Sequence, residues 1–174
     1  MTTRDDRALP DPEGVVIETR AQYPTVNGAK FNPLWITTDH WTAKANKGEK
    51  LGDTIEYDAA EGDAIQDSQQ QAGRKKNGIT IHNAYDDGTG TTDHYGGFQH
   101  NIATEDGLFH TYTVKITGDG SVTQFVDGQK VFSKARAFPT DKELSLKASM
   151  ALKDKSAVGA VGYIDYLDLS TLKA

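Results

Sequence analysis

The stretch GDTIEYDAAEG, Gly52 to Gly62, sets three carboxylic acids, Glu56, Asp58 and Glu61, into what otherwise reads as a β-strand. Strand interiors are usually poor in Asp and Glu. In an extended chain side chains alternate, so Glu56 and Asp58 share one face while Ile55 and Tyr57 take the other, core-facing one. Strict alternation would turn Glu61 to the face of Tyr57 and bury a carboxylate without a partner, at a cost of several kcal/mol. A one-residue bulge at Ala59–Ala60 removes the conflict. It returns Glu61 to the face of Glu56 and bends the strand, and two consecutive small residues suit that position. All three acids then face one side. Two carboxyls about 5 Å apart can act as nucleophile and acid/base in retaining glycoside hydrolysis. A third acid between them helps keep one ionised and the other protonated. Pattern alone leaves a second reading equally open, that of a solvent-facing acidic strand.

Period-two alternation continues on both sides of this stretch. Val15 to Tyr23 sets Val15, Ile17, Thr19 and Ala21 against Val16, Glu18, Arg20 and Gln22. GITIHNAY opposes Ile79 and Ile81 to Thr80 and His82, and HTYTVKIT opposes Tyr112, Val114 and Ile116 to Thr113, Lys115 and Thr117. SVTQFVDGQKVFS reads as two strands joined at Asp127-Gly128, a strong hairpin signal. LSLKASMAL and VGYIDYLDLS alternate as well, while residues 64–78 read as a polar loop. Many short strands separated by Gly, Asn and Asp clusters predict an all-β antiparallel sandwich. Residues 1–13 read as a polar arm, with Pro10 and Pro12 opposing a helix, and residues 14–174 as one domain.

The chain has 174 residues, 36% of them hydrophobic, and a net charge of −6, with no basic stripe, so a nucleic-acid partner is not expected. No apolar run approaches membrane-span length, so no membrane partner is expected either. The absence of cysteine excludes a disulfide framework, a thiolate metal site and a Cys nucleophile. There is no G-x-S-x-G elbow and no phosphate-binding Gly loop.

The hexad EYDAAE resembles the bulged E-x-D-x-x-E signature of glycoside hydrolase family 16, the laminarinases, lichenases, agarases and κ-carrageenases. The resemblance extends in order through GVVIETRAQYPTVNGAKFNPLWITTDHW, GITIHNAYDDG, DGLFHTYTVKITGDGSVTQFVDGQKVF and YIDYLDLS, about Gly14 to Ser170. It implies a concanavalin-like β-jelly roll with a curved cleft sheet, and retaining endo-hydrolysis of a β-linked polysaccharide. β-1,3 or mixed β-1,3/1,4 glucan is the leading substrate class, followed by algal galactans. Glu56 would be the nucleophile, Asp58 its assisting partner and Glu61 the general acid/base. An extracellular setting is implied, although the first residues carry no signal-peptide core. The chain departs from the family pattern at Tyr57, usually aliphatic, and at Ala59, usually larger. It also departs at Ile116 and Gln124, usually aromatic, which would thin the sugar-stacking positions. Relatives carry a longer segment before the strand at Gly14, and a partner covering the N-terminal sheet edge would compensate for it.

Trp35 and Trp41 are candidate sugar platforms, with core packing as the alternative. His82, placed opposite Ile79 and Ile81, is a candidate for the cleft, with Asn83 and Tyr85 beside it as further substrate contacts. His94 and His100 lie in a Gly-rich stretch and lack the spacing of a helical zinc pair, so a lid or subsite loop is expected there. His110 corresponds to a scaffold histidine by the resemblance. The stretch at Asp86 to Gly90 lacks EF-hand spacing and reads as a turn. No cofactor is required, though some relatives hold a structural calcium near the strand that carries Asp165. Two other classes stay in view: a jelly roll that binds carbohydrate without cleaving it, and a structural or virion-surface sandwich.

Overall fold

The computed structural model describes residues 6–8, 13–24, 29–38, 54–63, 78–84, 93–99, 102, 104, 106–138, 143–152 and 159–172. Among them the regular structure is entirely β. In chain order the strands are β1 (Asp6–Ala8), β2 (Val15–Gln22), β3 (Ala29–Thr38), β4 (Thr54–Asp63), β5 (Gly78–Ala84) and β6 (Asp93–Gln99). Then come β7 (Phe109–Ile116), β8 (Val122–Val126), β9 (Gln129–Lys134), β10 (Glu143–Leu152) and β11 (Tyr163–Thr171). A six-stranded sheet runs β1-β10-β3-β4-β5-β6 and a five-stranded sheet β11-β2-β7-β8-β9. Every pairing is antiparallel.

The alternation in the sequence becomes the core between the sheets. Val15, Ile17, Thr19 and Ala21 of β2 are buried, as are Tyr112, Val114 and Ile116 of β7 and Val122, Gln124 and Val126 of β8. Of these, Val15, Ile17, Val114, Ile116 and Val122 cluster with Leu34, Ile36, Tyr57, Ile79, Leu144 and Leu146 of the larger sheet. A second cluster joins Ala21, Tyr23, Phe31, Ala60, Tyr112 and Val126. Thr19 is buried without penalty because its hydroxyl donates to the Tyr166 carbonyl at 2.8 Å. The hairpin between β8 and β9 turns at Asp127 (φ 48°) and Gly128 (φ 76°). Both central residues are left-handed, as a type I′ turn requires. Gly14 is also obligatory, since a Cβ there would stand 2.2 Å from the Ile116 carbonyl oxygen.

Two expectations change. Residues 6–8, within the segment read as a polar arm, form strand β1 and pair with β10 at the edge of the larger sheet. Ile116 and Gln124 are fully buried between the sheets. Their substitution for aromatics therefore concerns core packing, and sugar stacking is untouched by it.

His110 is a scaffold residue here, nearly buried, with Nδ1 at 2.7 Å from Asp127 and Nε2 at 3.0 Å from Asp106. Burial alone would lower its pKa, but hydrogen bonds to the two carboxylates outweigh it and hold the imidazole above its ordinary value. The contact with Asp127 ties β7 to the β8–β9 turn, and Asp127 also accepts from the Thr111 amide at 2.9 Å.

Candidate active site

The larger sheet carries the acids, and its register decides which face they take. Glu56 lies opposite His82, Asp58 opposite Thr80 and Glu61 opposite Gly78. Between the last two pairs β4 advances three residues while β5 advances two. Ala59 and Ala60 therefore stand against Ile79 alone, which is a one-residue bulge. Residues paired across a ladder share a face. The positions of Glu56, Asp58 and Glu61 accordingly fall on one face, opposite every second residue of β5. Four ladder steps separate the outer two, a span of about 13 Å along the strand. For Glu61 it is the backbone position that is described.

Strand β3 bends in step. Between Trp35 and Asn32 it places Pro33 and Leu34 against the single residue Ala148 of β10. The β3–β4 ladder stays in register through this region, pairing Trp35 with Asp58 and Phe31 with Gly62. The two bulges therefore sit side by side, and the kink crosses both strands. Pro33 has no N–H to give a ladder, which is why such a residue is confined to bulges and edges.

The bulge is held from the opposite sheet. Ala59 and Ala60 are both fully buried and packed into the core. Gln124 Nε2 donates to the Ala59 carbonyl oxygen at 2.5 Å, and the Tyr23 hydroxyl donates to the Ala60 carbonyl oxygen. Gln124 Oε1 accepts from the Tyr57 hydroxyl at 2.6 Å. Burial pushes the Tyr57 hydroxyl far above its usual range, so it stays a neutral donor. By pattern Tyr23 is only the end of an alternating strand, and Gln124 only a departure from an aromatic position. Gln124 did carry a signal, a long polar side chain at a core position of an alternating strand.

On the acid face, Asp58 is almost completely buried, and Asn32 Nδ2 donates to its Oδ1 at 2.5 Å. Glu56 is half-buried. The cross-strand row at Glu56 runs Ser145–Thr37–Glu56–His82–His94, and the row at Asp58 runs Lys147–Trp35–Asp58–Thr80–Gly97. Trp35 thus shares the face of Asp58. Its ring lies under the Lys147 ammonium, 4.5 Å from the centroid. Its Nε1 is buried without a hydrogen-bond partner among the described residues, as is Asn32 Oδ1.

His82 takes the register position the alternation predicts, directly across from Glu56. Asn83 does not join it. It pairs with Ile55 on the core-facing side, because consecutive strand residues take opposite faces. His94 lies on strand β6, opposite His82, where a loop was expected. Asp93 to Gln99 contains two glycines that mask the strand pattern. Trp41, Tyr85 and His100 lie outside the described residues, as do residues 64–77 and 86–90. Asp165 stands on the exposed β11 of the smaller sheet, and its carboxylate is engaged by Arg20 Nη1 at 2.6 Å. Among the described residues no three His, Cys, Asp or Glu side chains gather as a metal site.

No family model matches the sequence, and no curated protein matches it. Solved structures do resemble the fold. A family 16 glycoside hydrolase from the mixed-linkage glucan locus of Bacteroides ovatus, solved with a G4G4G3G product, superposes with a TM-score of 0.64. The two share 18% identity over 91% of this chain and 70% of that one. LamAcat from Zobellia galactanivorans gives 0.61 at 16% identity, covering 90% of this chain and 64% of its own. The κ-carrageenase of Pseudoalteromonas carrageenovora, in complex with a κ-carrageenan oligotetrasaccharide, gives 0.59 at 19% identity, covering 88% and 54%. The chain thus spans between about half and seven-tenths of these proteins. Its fold is the family 16 jelly roll, an all-β antiparallel sandwich.

Proposed function

We propose that the protein is a retaining endo-glycosidase of β-linked polysaccharides. The observation that carries this reading is the bulge register, which brings the positions of Glu56, Asp58 and Glu61 onto one face of a bent sheet. In the proposed reaction Glu56 attacks the anomeric carbon while Glu61 protonates the departing glycosidic oxygen. Glu61 then deprotonates water, which releases the sugar from Glu56. Asp58, held by Asn32, is a fixed carboxyl neighbour whose hydrogen-bonded position helps separate the two roles. Trp35 supplies a flat apolar wall on the same face, and the His82 position pairs across the ladder from Glu56. β-1,3 or mixed β-1,3/1,4 glucan is the proposed substrate class, with sulfated or neutral galactans next, in keeping with the glycans named for the similar structures. Polysaccharide cleavage implies an extracellular site of action.

The test is reducing-sugar release on laminarin, lichenan, agarose and κ-carrageenan. Wild-type protein should hydrolyse at least one. Glu56→Gln should lose on the order of 10³-fold or more in kcat with an unchanged circular dichroism spectrum. Binding without turnover by the wild type would replace this reading with that of a carbohydrate-binding module. Full activity in Glu56→Gln would remove Glu56 as the nucleophile.

A further inference from the structure

The three positions Tyr57, Ala59 and Gln124, each a departure from the family pattern, touch one another in a single hydrogen-bonded chain. We propose that Gln124 is a positioning residue: with Tyr57 and Tyr23 it locks the Ala59–Ala60 bulge and so fixes where Glu61 stands relative to Glu56 and Asp58. This deepens the glycosidase reading and rests on it for its catalytic consequence.

Gln124 is fully buried among Val122, Val126 and other core residues. An amide there is costly unless both its ends are satisfied. One end takes the Tyr57 hydroxyl proton and the other gives to the Ala59 oxygen. A Leu or Met of similar volume would fill the space but leave both of those groups unpaired. Tyr23 repeats the device one residue later, donating to the Ala60 oxygen. The main-chain oxygens of both alanines at the bulge therefore receive a donor that crosses from the opposite sheet.

The competing state is a ladder without the bulge. There Ala60 would pair with Gly78, and every later β4 residue would change face, Glu61 included. In that register the Gln124 and Tyr23 donors would lose the carbonyls they now meet. The network thus raises the energy of the slipped state relative to the bulged one. Two alanines offer too little side chain to select the register by packing alone, so the task falls to buried polar groups in the facing sheet.

The experiment uses the full chain, isotopically labelled, and reads the backbone cross-strand NMR contact between Glu61 and Gly78 together with kcat and KM on the best glycan of the panel. In Gln124→Met the Glu61–Gly78 contact should be lost or averaged with an Ala60–Gly78 contact, and kcat should fall at least about 30-fold with KM within about threefold. Gln124→Glu should recover the contact and the rate in acid. A protonated carboxyl can donate to Ala59 and accept from Tyr57, so the activity profile should move to lower pH. Val15→Ala, an apolar cut in the same core but two ladder steps from the Val114–Gln124 pair, should lower the melting temperature and leave both readouts in place. Should Gln124→Met fail to fold, Tyr57→Phe removes one hydroxyl of the same chain and must show a partial form of the same two changes. Wild-type register and kcat in Gln124→Met, or in Tyr57→Phe if only that variant folds, would overturn the proposal. If the wild type cleaves no glycan, the enzymatic reading fails, and the backbone contact still decides whether Gln124 sets the register.

Discussion

Tyr23→Phe removes one oxygen atom from the core and leaves the rest of the side chain in place. Tyr23 is 2% exposed. Its ring meets Phe31 edge-on, with centroids 5.2 Å apart and planes at 75°, and Tyr112 at 6.3 Å and 61°. Phenylalanine can keep both contacts, so packing changes little. What it cannot do is donate to the Ala60 carbonyl, which then stays buried and unpaired. Such an orphan costs about 1–3 kcal/mol. In a domain of this size each kcal/mol lowers the melting temperature by about 2–4 °C, so the expected drop is roughly 2–12 °C. Urea unfolding should show a lower midpoint at the same m-value, because the area buried on folding is unchanged. Tyr166→Phe makes the same chemical change at the surface. That hydroxyl donates to Glu18 at 2.7 Å from an exposed strand, and its loss should cost under about 1 kcal/mol. A Tyr23→Phe variant as stable as Tyr166→Phe would refute the reasoning, since the bond at the bulge would then carry no weight.

Products of hydrolysis should first appear as the β anomer, and proton NMR showing the α form at the earliest times would reject double displacement. A second prediction concerns pH. His110 is held above its ordinary value, so its contribution is complete below about pH 6.5 and is lost as pH rises through the folded value. For Asp106, burial alone would raise the pKa, but hydrogen bonds from His110 and the Leu108 amide outweigh it. Its contribution is present above about pH 3.8 and is lost as pH falls through the depressed folded value. The stability gap between wild type and His110→Gln should therefore be widest between about pH 4 and 6.5 and shrink by pH 8.5. Both carboxylates are more than a third exposed, so each should add no more than about 1 kcal/mol. A gap that widens in alkali would contradict the assignment.

Much of the sandwich can be read locally. The alternation at Val15 to Gln22 reappears residue for residue as its burial pattern, and Asp127-Gly128 turns the hairpin it announces. Both follow from constraints acting within a few residues, the two-residue pleat and the cost of a left-handed backbone. The strand at Tyr163 to Thr171 shows where such reading stops. It alternates well, yet Tyr163, Ile164, Tyr166 and Leu167 are all exposed. Periodicity identifies a strand and its two faces, but not whether another layer covers either one.

The acid site divides along the same line. Spacing alone required an extra residue at Ala59–Ala60, because a buried, unpaired Glu61 would be too costly, and the register carries that residue there. His82 and Asn83, grouped as substrate contacts in the sequence, take alternate register positions, across from Glu56 and Ile55. The amino-acid sequence by itself therefore marked most of the strands, the hairpin and the need for a kink, but missed β1 and β6. Only the packing of one sheet on the other decided what holds the kink. Gln124 and Tyr23 lie 65 and 37 residues from the carbonyls they cap, and no local pattern records a hydrogen bond made across the core. The physical reason is range: backbone sterics and side-chain alternation act between neighbours, whereas satisfying a buried polar group depends on whatever the fold brings against it.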